Sequence, residues 1–371
     1  MTVPLCDSCR SRPAVVYQRH TGMRLCRECF MEDIRARVAR EVSKWRMLEP
    51  GDTLLLAVSG GKDSFVLLDV MPLLHKPSRM LALSIVEGIP GYNRHVDIQK
   101  MKGYARERGI DLIVTSIREY TGLHLSEIVS RAWKRRLRIA PCTYCGILRR
   151  RIINYYARVY GASKTVTAHN LDDEAQTAII NLLRGDLIGL LRQHPLAPPA
   201  SRRLVPRVKP LRKIYEWETA TYAYLAGFRF QETECMYIRY APTLRARVRN
   251  ALYIMEAESP GSLLRLVEAL DSLLEEDARR LSVEDLPPCS RCGEPTSPGR
   301  MVCKLCEILS LAGVEKPVYS TPWRGLPDFI REALRGAQGG GNGGGTGQAA
   351  GGRRAARGDG EEAEAQAAGA S

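Results

Sequence analysis

Short apolar runs alternate along the chain with longer stretches in which apolar positions recur every three or four residues. Thr53–Val58, Met80–Val86, Asp111–Ile117 and Lys164–Ala168 have the length and apolar character of buried strands. The helical period runs through Phe65–His75, Asp97–Arg108, Ser126–Arg138, Tyr144–Tyr160 and Leu171–Leu183. It returns in Tyr215–Ala226, Thr243–Ala257 and Ser262–Glu275, and a basic amphipathic helix, Met31–Leu48, precedes Pro50-Gly51. Elements alternating in this way predict an α/β fold with a doubly wound parallel sheet, its ligand at the carboxyl ends of the strands. Gly185–Pro210, rich in proline and arginine, reads as a loop. No apolar run reaches the roughly 18–20 residues that cross a bilayer, so a soluble, cytoplasmic protein with no membrane partner is expected.

Composition changes the picture at both ends. From about Arg335 the sequence collapses into Gly, Ala and Arg, a composition that cannot bury a core and is expected to be disordered. Eleven cysteines argue for metal rather than disulfides inside a cell. Cys6 and Cys9 pair with Cys26 and Cys29, and Cys289 and Cys292 pair with Cys303 and Cys306. Each quartet has the two-knuckle spacing of a closed tetrahedral zinc site, a redox-active CxxC being the weaker reading. The expected division is a zinc module (1–30), a linker helix (31–50), a main domain (51–257), a helical linker (258–286), a second zinc module (287–310), an extension (311–334) and a disordered tail (335–371). The formal net charge of +14 belongs to the folded body, because the tail from Arg335 sets four arginines against four acids. So basic a body calls for a polyanion, and nucleic acid is the ordinary one.

The chemistry starts at Ser59-Gly60-Gly61-Lys62-Asp63-Ser64, between a strand and a helix. Gly60 and Gly61 let backbone N–H groups converge on an anion, Lys62 adds a cation, and Ser59 and Ser64 add hydroxyls at a helix N-terminus. This is not the Walker A spacing. Further on, Pro141-Cys142-Thr-Tyr-Cys145-Gly146 opens a helix inside a basic stretch containing Arg131, Lys134, Arg135, Arg136, Arg138, Arg149, Arg150 and Arg151. Thiols there are expected to have depressed pKa values. Cys235 is the odd third thiol. Three thiolates suit an iron–sulfur cube with one open iron; a buried free Cys235 and a Cys142–Cys145 disulfide stay open as alternatives. Ala168-His169-Asn170-Leu-Asp172-Asp173-Glu174 reads locally as an N-cap with Asp173 closing a capping box. Beside a phosphate loop, the acid can also hold Mg²⁺ against pyrophosphate.

In order, SGGKDS, PCTYCG, AHNLDDEAQ, RVKPL (Arg207–Leu211) and the TEC that ends at Cys235 resemble the tRNA 2-thiolation enzymes of the TtcA/TtuA superfamily. These are PP-loop ATP pyrophosphatases, and ribbons at both ends mark the TtuA-like and cytosolic wobble-uridine branch. The resemblance implies a 4Fe-4S cluster on Cys142, Cys145 and Cys235, with two structural zinc ions. It implies ATP bound by Ala57, Val58, Ser59, Gly60, Gly61, Lys62, Asp63, Ser64, Ile85, Arg149, Ala168 and Asp173, with Mg²⁺. Catalysis would fall to Lys62, Asp63, Asp173 and Arg149. Arg149 stands where many TtuA proteins have lysine, which keeps a cation but removes any role that needs deprotonation.

The implied reaction adenylates the C2 oxygen of a tRNA uridine or ribothymidine, replaces it with sulfur, and releases AMP and pyrophosphate. A persulfide on Cys142 or Cys235 is the competing sulfur carrier. The implied partners are tRNA, a sulfur donor (a ubiquitin-like thiocarboxylate carrier or sulfide) and a second copy of the chain. Arginines of 131–151, Arg202, Arg203, Arg207, Lys209, Arg212, Lys213 and the stretch Arg239 to Arg249 are expected to face the RNA. Trp133, Tyr144 and Tyr237 are candidates for base stacking. The rivals are another PP-loop activity on RNA or a small molecule, and a non-catalytic zinc-ribbon scaffold.

Overall fold

The run Leu54-Leu-Leu is apolar on both faces because its strand lies at the centre of the sheet. All three leucines are wholly buried, two facing one layer of helices and one the other. The computed structural model describes residues 3–92, 95–230, 235–240 and 243–314. The tail from 335, the extension beyond Val314 and part of the Arg239–Arg249 stretch lie outside the described residues.

β1 (Val16–Gln18) and β2 (Met23–Leu25) form an antiparallel hairpin in the first cysteine module, and α1 (Arg27–Lys44) leaves directly from it. The body runs through β3 (Leu54–Val58), α2 (Lys62–Leu74), β4 (Met80–Val86), α3 (His95–Glu107) and β5 (Asp111–Ser116). Next come α4 (Ile117–Thr121), α5 (Leu125–Lys134), α6 (Pro141–Tyr160), β6 (Lys164–Thr167), α7 (Leu171–Leu183), α8 (Leu187–Leu191) and β7 (Arg207–Val208). Then α9 (Glu216–Leu225), α10 (Leu244–Glu258), α11 (Ser262–Arg280) and, in the second cysteine module, α12 (Lys304–Leu311) complete the described chain.

The sheet is parallel throughout, in the order β5-β4-β3-β6-β7. The chain winds outward from β3 to β5 and then returns to the other side of β3 as β6. Between those two strands the winding reverses, and a crevice opens at their carboxyl ends. On one side α5, α6, α12 and the second cysteine quartet share a core with Leu55, Leu81 and Leu83. On the other, Phe30, Ile34 and Val38 of α1 pack with α2 and α9 over Leu54 and Leu56.

Several boundaries differ from the sequence expectation: α2 and α6 start three residues early, at Lys62 and Pro141, α5 ends at Lys134 rather than Arg138, and α11 runs on to Arg280. α1 starts at Arg27 rather than Met31 because Cys26 caps it, its Sγ accepting from the Cys29 N–H at 3.5 Å. It ends at Lys44, short of Leu48. β5 stops at Ser116, which turns the chain into α4 through a capping box with Glu119. Gly185–Pro210 is not wholly a loop: it holds α8 and β7, whose two residues pair with Thr165 and Val166. Pairing to an existing edge, rather than any apolar pattern of its own, makes β7 a strand.

Candidate nucleotide and thiol site

β3 delivers Ser59 to the crevice and α2 starts at Lys62, so the six-residue loop is one turn between two buried elements. Gly60 has φ +84°, a backbone that side chains rarely adopt. The turn is closed by its own serines: the Ser59 N–H donates to Ser64 Oγ at 2.8 Å, and the two hydroxyls lie 3.2 Å apart. A cavity of about 370 Å³ opens beside it, lined by Ala57, Ser59, Asp63, Ser64, Arg149, Ala168 and Asp173 of the expected set. Val58 and Ile85 are buried behind the cavity. Lys62 turns the other way, donating to Glu216 at 2.9 Å and Asp63 at 3.1 Å, and it lines a neighbouring cavity of about 600 Å³ beside Trp217 and Tyr253. Burial works against its charge, but Asp63 and Glu216 raise its pKa.

Asp63 is held from two elements: its Oδ1 accepts from Thr219 Oγ1 at 2.5 Å on α9 and from Asn170 Nδ2 at 3.3 Å at the start of α7. Asn170 also accepts from the Asp173 N–H at 3.0 Å, so the capping-box reading and the site coincide on the same residues. Burial, and then repulsion from Asp63, push the Asp173 carboxyl up to about 6. Two carboxylates raising each other's cost beside a phosphate-type loop suit a divalent cation between them. Glu174, 2% exposed, instead belongs to the fold: Lys209 and Arg212 hold its pKa down against burial, and Lys209 Nζ lies 2.7 Å from it.

α6 begins at Pro141, which fixes the first turn, so Cys142 and Cys145 project from the helix start. Cys235 approaches from the segment before the short 3₁₀ turn Met236–Tyr240; its charge acts on Cys145, and that of Cys142 acts on it. One turn beyond Cys145, Arg149 reaches that thiol and stands 3.5 Å from buried Glu87 at the end of β4. The low pKa expected for Cys145 does not hold, because burial pushes it up to about 12; burial also raises Cys235. Of the cations of this stretch, Arg149 is the one that acts on Cys145, and it offsets that desolvation only in part.

Both cysteine quartets can hold metal. In each, one sulfur from every residue falls within a mutual 4.8 Å, and Cys9–Cys26 and Cys292–Cys303 stand 3.9 and 3.6 Å apart. A tetrahedral zinc with Zn–S near 2.3 Å requires about 3.8 Å between sulfurs. The second quartet is tied to α6 by Arg151, which donates to Cys292 and Cys303 Sγ and pairs with Glu294.

Several residues expected on the RNA face are therefore elsewhere. Arg151 is spent on the second cysteine module. Arg212 and Lys213 are buried around Asp271, with Arg212 Nη2 at 2.6 Å from its carboxylate. Tyr144 is wholly buried and Tyr237 is 8% exposed, which makes both of them core, whereas Trp133 is half-exposed. Sequence reasoning missed Glu87, Glu216 and Thr219, single polar residues with no motif of their own. Their signal is only that the fold brings them to Arg149, Lys62 and Asp63.

Residues 33–255 match the PP-loop domain family, and residues 5–31 match the N-terminal LIM domain of 2-thiouridine synthetase TtuA. A cytoplasmic tRNA 2-thiolation protein 1 from Xenopus laevis is 32% identical over 82% of this chain and 87% of its own length. A tRNA-5-methyluridine(54) 2-sulfurtransferase from Thermus thermophilus is 36% identical over 82% and 90%. Among solved structures, the U34-tRNA thiolase NcsA from Methanococcus maripaludis, with its [4Fe-4S] cluster, superposes with a TM-score of 0.66 at 27% identity, over 83% of this chain and 96% of that one.

Proposed function

The chain belongs to the tRNA 2-thiolation family of PP-loop enzymes, and on that premise we propose that it adenylates the C2 oxygen of a tRNA uridine or ribothymidine and exchanges it for sulfur. One observation carries the reading: a single crevice has the Ser59–Ser64 turn on one wall and Gly146 and Arg149 of α6 on the other, and Arg149 also reaches the Cys145 thiol next to it. Nucleotide activation and sulfur chemistry thus share a site.

ATP would lie with its phosphates on the Ser59–Ser64 turn, and the paired acids Asp63 and Asp173 would hold Mg²⁺. The C2 oxygen attacks the α-phosphorus, and the bond to pyrophosphate breaks. Arg149 stabilises the charge that builds on the phosphate oxygens. Sulfur then adds at C2 and the carbon–oxygen bond breaks with AMP as leaving group, so no net electron transfer is needed. Cys142, Cys145 and Cys235 fit a 4Fe-4S cluster by donor chemistry, three thiols from two segments at a partly apolar wall. Once bound, the cluster would supply a Lewis-acidic iron with an open position for sulfide. Zinc would occupy the two ribbons, taken as residues 1–30 and 287–310. The sulfur donor is read as sulfide or a thiocarboxylate carrier, and the working form as a homodimer in the cytoplasm.

The test is the purified full chain, reconstituted anaerobically with iron and sulfide and supplied with ATP, Mg²⁺, sulfide and unmodified tRNA. A 2-thiolated nucleoside in the tRNA digest, matched by AMP and pyrophosphate, is the expected result. ATP turnover that ignores tRNA, with no thionucleoside formed, overturns it.

A further inference from the structure

Arg150 and Arg207 stand out electrostatically. Both line the 370 Å³ nucleotide cavity, and both also line an outer trough of about 430 Å³ between the end of α1, the Pro195–Pro199 segment and β7. They thus form the partition between the two spaces. Arg46 apart, the four other cations of the trough are paired with acids. Lys164 pairs with Asp52 at 2.8 Å, Arg192 with Glu284 at 3.3 Å, Lys209 with Glu174 at 2.7 Å, and Arg212 with Asp271.

Neither Arg150 nor Arg207 has a carboxylate within 4.0 Å among the described residues, and the one bond Arg150 makes is to the Gly146 carbonyl at 3.0 Å. Burial lowers the pKa of Arg207, and the Arg150 charge lowers it further. Two like-charged guanidinia kept side by side without a counter-ion cost stability. A planar fork on each offers bidentate hydrogen bonds to phosphate oxygens, the anion that best offsets such a cost.

We infer that Arg150 and Arg207 grip a backbone phosphodiester of the RNA substrate where the strand passes from the outer trough into the nucleotide cavity. The inference rests on the tRNA reading above and adds a definite contact to it. The pair sits at the boundary and not at the Ser59–Ser64 turn, so a chain that passes from the trough to the reacting centre runs beside these two side chains. The alternative source of the same chemistry is a phosphate of ATP itself.

The experiment uses the full-length protein with Arg150→Ala, Arg207→Ala and the double change, beside Arg→Lys at both positions. It measures tRNA affinity by fluorescence anisotropy across a salt series, and affinity for a non-hydrolysable ATP analogue by calorimetry. The double alanine variant is expected to weaken tRNA binding about tenfold and to reduce the slope of log K against log salt by about 0.7, the value for one single-strand phosphate contact. The double lysine variant keeps most of the slope, and analogue affinity and melting temperature match the wild type. An unchanged tRNA slope with a tenfold loss of analogue affinity assigns the pair to ATP and overturns the inference. Unchanged affinity for both ligands overturns it too, while the tRNA reading stands. If the wild-type protein itself does not bind tRNA, both fall together.

Discussion

Lys62 shows how a residue read for one role can be held in another. Its ammonium is shared by Glu216 and Asp63, and Glu216 is itself fixed by Tyr253 Oη at 2.7 Å. For Lys62 to meet a phosphate, the bond to Glu216 has to break, and its cost is subtracted from nucleotide affinity. Glu216→Gln weakens that bond while keeping the shape and the Tyr253 contact. The expected outcome is a several-fold tighter ATP Kd by calorimetry, with Lys62→Ala in the same background abolishing the gain. An ATP affinity unmoved by Glu216→Gln would mean that Lys62 stays with Glu216 throughout. Asp63 is divided: its Oδ2 meets the Lys62 ammonium, while its Oδ1 takes two neutral donors, Asn170 and Thr219, that orient the carboxylate.

At the scale of elements, α7 carries the site and α11 carries α7. Arg212 lies between them, 2% exposed, bonding Asp271 of α11 twice and Glu41 of α1 at 2.7 Å. Lys213 Nζ is 2.9 Å from the same Asp271 carboxylate. Removing that one acid strands Lys213 and leaves Arg212 only Glu41 and Glu174, so Asp271→Ala should cost about 3–5 kcal/mol in urea unfolding. Asp271→Asn, which keeps one acceptor, should cost less. A loss under 1 kcal/mol for the alanine would show that water reaches Arg212 and that the network contributes little. α6 has the comparable double duty, its start bearing two thiols and its middle bracing the second ribbon through Arg151 and Arg158, both paired with Glu294.

For the molecule as a whole, the buried network fixes how stability responds to acid. His194 is 5% exposed; its Nδ1 accepts from the Leu196 N–H, and Nε2 donates to the Asp271 carbonyl, an arrangement that only the neutral ring can make. Burial lowers its pKa from 6.5 in the fold, so the unfolded chain takes up the proton first. Stability from His194 is full above about pH 6.5 and declines below it. Glu174 and Asp271 are also held below their ordinary values of 4.5 and 3.8 against the pull of burial, by Lys209 and Arg212 and by Arg212 respectively. Their contribution is present above those values and is lost as pH falls further, through the lowered ones. His20 and His169 are also held low by burial and act in the same sense as His194. Urea midpoints should therefore fall from pH 7.5 to 5.5 and again below 4.5, and His194→Gln should reduce the first step only in part and leave the second. A midpoint rising between pH 7.5 and 5.5 in the wild type would show that the raised carboxyls of Asp172 and Asp173, which act in the opposite sense, outweigh the histidine.

Much of this protein was determined by local chemistry and is legible in the order of its residues. Apolar runs of strand length place β3, β4, β5 and β6 within a residue at either end, and α7 matches its expected span, because burial on two faces leaves a continuous apolar signature. The Ser59–Ser64 turn and the two cysteine quartets are equally local, since each needs particular residue types at close spacing. What only the tertiary structure decided is how charge is spent. Arg151, Arg212 and Lys213 look in sequence like Arg150 and Arg207, yet the first three are consumed by Glu294 and Asp271, while the other two have no carboxylate within 4.0 Å among the described residues and Glu174 acts on Arg207 only from further off. An arginine carries the same charge wherever it stands. Whether that charge faces a ligand or a buried carboxylate depends on which distant segment the fold packs against it.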